Sequence, residues 1–362
     1  MKNFKNILFL IGVIAVVIML FTFEVSFAQL CDYILQAGYW LLAILALWGV
    51  LYLMNAWSWH VILRGSGTCP VSFLYLLRVT VSGFALNYTT PVGLLGGEPY
   101  KIIQLTPHVG VQRATSSVLL FAMMHVFAHF CFWATGIVIY LLLAAFRLLP
   151  LTTAIVIVLV LSALFCALGI YLFIRGYRYG MALRTIRLLT RIPGLRGWAR
   201  RFLTDHHDDL TKIDRQIAQL HSQSRPTFYL SLAIEYIGRV CQSFEILFML
   251  ILFHSLPDGS LSALTMGFLQ SFLILCFTSL FANLLGFLPL QLGGREGGFA
   301  LSVSALGMTS ALGLFISIIC RVRELFWAII GLILMRIKDS PGAPNSCRNV
   351  KTSINSVNRK PS

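Results

Sequence analysis

Glu98 and Glu296 occupy matching places in the chain. Each lies seven residues after a proline, Pro91 and Pro289, and each follows a glycine pair, Gly96-Gly97 directly and Gly293-Gly294 with Arg295 between. Proline and paired glycine interrupt a helix, so each glutamate opens a new one. A carboxylate at a helix start has two uses. It can cap the free N–H groups of the first turn, which contributes about 0.5–2 kcal/mol. It can instead hold a cationic head group, or exchange a proton where burial penalises its charge. The residue types leave both open. Arg295 adds the opposite chemistry, since a guanidinium beside a helix N-terminus binds phosphate oxygens, and Arg321 and Arg323 can extend that anion site. Lys101 follows Glu98 by three residues.

The remaining ionisable residues in apolar runs are few. Arg78 sits eight residues into one run; it either faces an interior cavity or snorkels to the interface. Glu235 and Arg239 are four apart on one helix and can pair with each other or serve a ligand. Glu245, deeper in the same run, has no local partner. His125 and His129 are also four apart; no further ligand is spaced to complete a metal site, so core hydrogen bonding is the expected role. "DHHDD" (205–209) reads as solvated polar surface. The eight cysteines show no C-x-x-C and no Cys/His metal spacing, and most lie in apolar runs as buried thiols. No metal or cofactor is expected. There is no G-x-x-x-x-G-K-[ST], G-x-S-x-G or H-E-x-x-H, so no ATP loop, serine nucleophile or zincin helix is present in the sequence.

The elements that must position these residues are membrane helices. Of 362 residues, 58% are hydrophobic and 11% charged, against about 25% charged in soluble domains. Mean hydropathy is +0.82. The net charge of +15 is concentrated: eleven of 28 basic residues fall in 175–225, and more follow Arg336. This is the pattern of cytoplasmic loops; with no soluble basic domain, nucleic acid is not an expected partner. Apolar stretches fall near 6–28, 37–62, 70–91, 114–144, 151–174, 227–253, 261–288 and 312–336. The run Ile7–Phe23 is too long for a cleaved signal peptide, so it reads as a retained first helix. "RLLTRIPGLRGWARRFL" (187–203) reads equally as an interfacial helix or a loop helix packed on the protein, and the tail from 338 reads as disordered.

Eight simple crossings with a cytoplasmic N-terminus would put the basic loop outside. One re-entrant turn in each half repairs this. The segment 70–91 breaks at Pro91–Gly97 and returns to the cytoplasmic side, placing Lys101 and Arg113 inside. The segment 261–288 breaks at Pro289–Gly298 and returns to the outside. The expected fold is thus an all-α polytopic membrane protein with about six crossings and two re-entrant hairpins in an inverted repeat. It divides into a first half (1–174), a basic cytoplasmic loop (175–226), a second half (227–337) and a cytoplasmic tail (338–362). Broken helices in matched positions of two halves point to a transporter's site.

"TTPVGLLGGEPYKI" (89–102), "LPLQLGGREGG" (288–298) and "RVRELFWAIIGLIL" (321–334) together resemble the lysylphosphatidylglycerol synthase transmembrane-region family, flippase-like integral membrane proteins. Members typically carry Pro-Gly-Gly-x-Gly-x-x-Glu in the second half; here three residues separate Pro289 from the glycine pair. In larger aminoacyl-phospholipid synthases a soluble transferase domain follows such a region, and its absence here implies the lipid-translocating half alone. The expected function is a lipid translocase of the cytoplasmic membrane. Its partners would be an anionic or aminoacylated phospholipid or a polyprenyl phosphate, and a separate lipid-modifying transferase. The rival readings are a membrane-embedded transferase using Glu98 and Glu296 as acid and base, and a non-transporting scaffold for a synthase.

The charge asymmetry makes a topological prediction. A single cysteine introduced at position 196 is shielded from a membrane-impermeant thiol reagent in intact cells, whereas one at 30 is labelled; labelling at 196 refutes the orientation.

Overall fold

The computed structural model describes residues 27–89, 96–179, 186–187, 190–191, 196–205, 207–208, 210–211, 225–253, 260–284 and 294–337. Most of the expected first helix, Pro91, Pro289, Gly293, much of the basic loop and the whole of the expected C-terminal tail (338–362) lie outside them. Among the described residues the chain is all-helical, with ten principal helices and no strand. They are α1 (Phe27–Gly65), α2 (Phe73–Thr89), α3 (Gly97–Val109), α4 (Val111–Ala145), α5 (Thr153–Tyr179), α6 (Arg196–Asp205), α7 (Arg225–Leu252), α8 (Leu261–Leu284), α9 (Gly294–Ala305) and α10 (Ser310–Arg336).

Four stretches are long and apolar enough to cross a membrane: Ala37–Gly65, Val111–Ala145, Thr153–Arg175 and Leu261–Leu284. Helices α7 and α10 have the length, at 28 and 27 residues, but carry charges in mid-helix. Helix α5 packs on α4 and turns much of its apolar surface outward, as a lipid-facing helix does.

The packing treats α1–α4 and α7–α10 alike. Helix α1 packs on α2 as α7 does on α8. Helices α2, α3 and α4 pack in succession, as do α8, α9 and α10. Helix α2 lies on α10 and α8 lies on α4, while α1 meets α7 directly. The two short helices end alike as well. Gly110 (φ +84) follows α3 and Gly307 (φ +79) follows α9, the left-handed conformation that glycine adopts without cost. Their N–H groups bond the carbonyls of Thr106 (2.9 Å) and Ser304 (3.0 Å). Both turns fall in short breaker-rich stretches, TPHVG (106–110) and GMTS (307–310).

The two cross-half contacts are tight for one reason, a glycine on the partner helix. On α10, Gly331 lies against Ala85 and the Val81 backbone of α2, and Ser82 Oγ donates to its carbonyl at 3.0 Å. On α4, Gly136 lies against Cys276 of α8, whose thiol approaches the Phe132 and Trp133 carbonyls. Small residues of this kind let membrane helices approach closely.

The apolar interior forms two clusters. One gathers Trp59–Leu63 of α1, residues 114–127 of α4, much of α2 and α3, and Ala328 and Leu332 of α10. The other gathers Ala37 and Ile44 of α1, residues 132–144 of α4, the C-terminal part of α7, α8, Phe299 and Val303 of α9, and residues 312–320 of α10. On α10 the stretch between the two clusters holds Arg321, Arg323 and Glu324.

A side chain at position 331 would meet Ala85 and Val81 at overlapping distance, so Gly331→Val is expected to cost about 1–3 kcal/mol, read as a lowered unfolding midpoint in detergent. Gly238→Ala, where a Cβ meets only Met54 at 3.8 Å, is expected to raise it slightly.

Candidate functional site

The gap between the apolar clusters holds a layer of ion pairs. Arg323 is the central residue of α10, with thirteen helical residues on either side. Its Nε donates to Glu245 Oε1 of α7 at 2.9 Å, and both side chains are 1% exposed. Its guanidinium stacks 3.7 Å from the Trp48 ring of α1. The indole of Trp48 donates to the other oxygen of Glu245 at 2.9 Å. Three helices thus meet on one charge pair. Next to it, Glu324 accepts from Arg295 of α9 and lies 3.6 Å from Arg323 Nη2. Arg321 donates through Nε to Glu296 at 2.8 Å.

The first half contributes a second group. Lys101, 1% exposed, gives its ammonium to Glu98 Oε1 at 2.9 Å. That ammonium also sits 5.0 Å and 4.9 Å from the Phe84 and Phe121 ring centres, a cation–π arrangement. Helix α3 starts against α2: the Gly97 N–H donates to Asn87 Oδ1 at 2.7 Å, and the Gly83 carbonyl occupies the space a Gly97 side chain would need. Gly96 is the cap residue of α3 and Gly294 the first residue of α9.

Between the groups, His125 of α4 joins α7. Its Nδ1 lies 2.9 Å from Glu235 Oε2, and Arg239 reaches the same imidazole and donates to Gln242 Oε1 at 3.1 Å. Tyr88, near the end of α2, interacts electrostatically with Arg239 on one side and with Arg295, Arg323, Glu324 and Glu245 on the other. Among the described residues, the layer contains five cations (Lys101, Arg239, Arg295, Arg321, Arg323) and five carboxylates (Glu98, Glu235, Glu245, Glu296, Glu324). With His125 neutral its charge is zero.

The family model described as lysylphosphatidylglycerol synthase TM region matches residues 7–331. The chain belongs to this family. It is accordingly a multi-pass, lipid-related membrane protein. No curated protein and no solved structure shows significant similarity to it.

The charged residues singled out by sequence converge in this family member, with one exception. Arg78 lies away from the layer, near the end of α10. It donates to the Ile337 carbonyl at 3.3 Å and stacks on Tyr75 at 5.0 Å. Glu98 and Glu296 open α3 and α9 but pair with side chains: Glu98 Oε1 holds Lys101, and its buried Oε2 has no hydrogen-bond partner among the described residues. They are also the most open carboxylates of the layer, 22% and 24% exposed, against 1–3% for Glu235, Glu245 and Glu324. Glu324, Trp48, Tyr88 and Asn87 were not legible as site residues. Glu324 carried a signal: a carboxylate in the same mid-helix run as two arginines is improbable in lipid unless it is paired. Among the described residues no three His, Cys, Asp or Glu side chains converge as metal ligands. What the arrangement offers chemically is ionic: carboxylates for an ammonium, guanidinia for a phosphate, each already held by a partner that a ligand must displace.

Removing one member of the central pair leaves a buried charge. Arg323→Met is expected to cost about 3–5 kcal/mol, with the double variant Arg323→Met/Glu245→Leu regaining more than half of it. A double-mutant cycle on unfolding in detergent measures this; additive losses would show that the pair is not coupled.

Proposed function

We propose that this membrane protein is a lipid translocase, and that the ionic layer is its head-group site. The observation carrying this reading is the place of the layer: a set of ion pairs lies midway along α7 and α10, between two apolar clusters. Charges midway along a membrane helix are costly and mark ligand or ion pathways in membrane proteins. A purely structural set would not leave its two most open members, Glu98 and Glu296, at the starts of two short, glycine-preceded helices.

In this proposal α1–α4 and α7–α10 are two inverted halves, and α2–α3 and α8–α9 are re-entrant hairpins meeting at mid-membrane. The shared packing pattern and the matched Gly110 and Gly307 turns support the repeat. Opposite insertion follows from the charge argument, which also puts both termini on the cytoplasmic side of the inner membrane. The lipid is an anionic or aminoacylated phospholipid or a polyprenyl phosphate. Its phosphate meets Arg295 and Arg321, any ammonium meets Glu98 and Glu296, and its acyl chains stay in the bilayer. Rocking of the halves about the α2–α10 and α4–α8 contacts then exposes the layer to one side at a time.

The test is lipid flip by purified protein in proteoliposomes. Glu98→Gln and Glu296→Gln are expected to insert normally and to slow flip at least about tenfold, a barrier change of about 1.4 kcal/mol. Wild-type rates in both variants would remove these carboxylates from the site. Absence of flip by the wild-type protein would favour a transferase or scaffold.

A further inference from the structure

The translocase reading leaves open what drives the cycle. The His125 cluster bears on that, because it sets a titratable ring between a carboxylate and a guanidinium. An arginine guanidinium only donates and keeps its charge in proteins. Arg239 Nη2 faces His125 Nε2, its nearer ring partner; the same nitrogen lies 3.3 Å from Nδ1. The tautomer that suits both neighbours leaves the lone pair on Nε2, beside the guanidinium, and the single ring proton on Nδ1, where Glu235 Oε2 accepts it at 2.9 Å. Neutral imidazole, ionised carboxylate and guanidinium close the charge balance of this set, while the buried Glu235 Oε1 has no hydrogen-bond partner among the described residues.

A proton added at Nε2 destroys that closure. Two donors and two positive charges would then face each other, and the guanidinium must move off while Glu235 keeps the imidazolium. We propose that His125, Glu235 and Arg239 form a proton-binding site, and that its occupation releases Arg239 to an anionic head group. This rests on the translocase reading and supplies it with a coupling ion. No electrons move: one proton enters at Nε2, and one guanidinium exchanges the imidazole for a phosphate oxygen.

The surroundings of His125 contain what such a site needs. On its own helix, His129 stacks edge-on at 5.3 Å between ring centres, and its buried Nδ1 has no hydrogen-bond partner among the described residues. It is the next position a proton can occupy. From α3, Lys101 is within electrostatic range. From α7 come Glu235 and Arg239. Helix α2 contributes the Phe84 ring at 6.0 Å, with Tyr52 of α1 stacked behind it. Helix α8 contains no Asp, Glu, Lys, Arg or His, and α5 brings only Cys166 and its terminal tyrosines and arginines. A proton reaching His125 thus meets Glu235, Arg239, His129 and Lys101.

Two measurements test this separately from transport as such. First, imidazole 15N spectra of the histidine-labelled full-length protein in nanodiscs are recorded from about pH 4 to 9, the range in which histidines titrate. The resonance absent from His125→Asn is expected to show a protonated Nδ1 and a bare Nε2 at high pH, and to become imidazolium on acidification. A bare Nδ1, or no titration over this range, overturns the proposal. If His125→Asn does not accumulate, the resonance is assigned as the one that shifts in Arg239→Gln, whose amide can still donate to Nε2. Second, proteoliposomes carry tail-labelled phosphatidylglycerol, phosphatidylethanolamine or a polyprenyl phosphate, with and without a gradient of one pH unit. One coupled proton is worth about 1.4 kcal/mol across that gradient, so the leaflet distribution is expected to shift by up to about tenfold, and His125→Asn to abolish the shift. Wild-type flip indifferent to the gradient overturns the coupling. Absence of all flip by the wild type removes the translocase reading, and the spectra then decide the proton site by themselves.

Discussion

A charge in the middle of a bilayer must have a partner, and this constraint organises the bundle. Arg323 stands at the centre of α10 with nothing on its own helix to neutralise it except neighbours that are themselves committed. Its partner, Glu245, comes from α7, and Trp48 of α1 closes the pair from the third side. Once those three helices are tied at mid-length, their apolar ends are left to pack on either side, which is why the interior divides into two clusters. The cost of leaving any one charge unpaired, several kcal/mol, fixes helix register more tightly than apolar packing could. Leucine contacts tolerate a slide of one turn; a buried guanidinium does not.

The same economy is visible where the halves touch. Gly331 and Gly136 bring α10 onto α2 and α4 onto α8, and in each case a side-chain donor reaches the partner's backbone. In a solvent as apolar as leucine, close backbone approach and a few hydrogen bonds replace the hydrophobic effect as the source of helix association. The contacts are equivalent in place but not in chemistry: serine and glycine on one side, cysteine and glycine on the other. The ionic partners are unequal too, with one lysine on the α3 side and three arginines on the α9–α10 side. A symmetric frame therefore holds an asymmetric site.

Much of this was legible in the sequence because membrane helices carry strong local signals. Apolar runs, the Gly110 and Gly307 turns and the glycine pairs at 96–97 and 293–294 are all short-range features, and the helices begin and end near them. Charged residues inside apolar runs were legible as a set, since lipid admits few of them. Their pairing was not. Glu245 and Arg323 are 78 residues apart, and no periodicity connects them. Arg78 looked equivalent to the others because its distance from a helix end says nothing about which neighbour that end packs against. Glu324 was overlooked beside Arg321 and Arg323, although the helix turn sends it to Arg295 instead. His125 reads in the sequence as a core hydrogen-bonding residue, and its partners, Glu235 and Arg239, come from the helix opposite, 110 and 114 residues on.

The equal numbers of cations and carboxylates have an electrical consequence. Each elementary charge moved across a membrane potential of 100 mV exchanges about 2.3 kcal/mol with the field. A layer of five cations and five carboxylates that moves as one body exchanges nothing, because the displacements of opposite charges cancel. If it takes up a proton together with a monoanionic head group, the loaded layer is again neutral, and such a movement of either form does no electrical work. With equal pH on both sides, the protein would then run at the same speed whether or not the membrane is polarised.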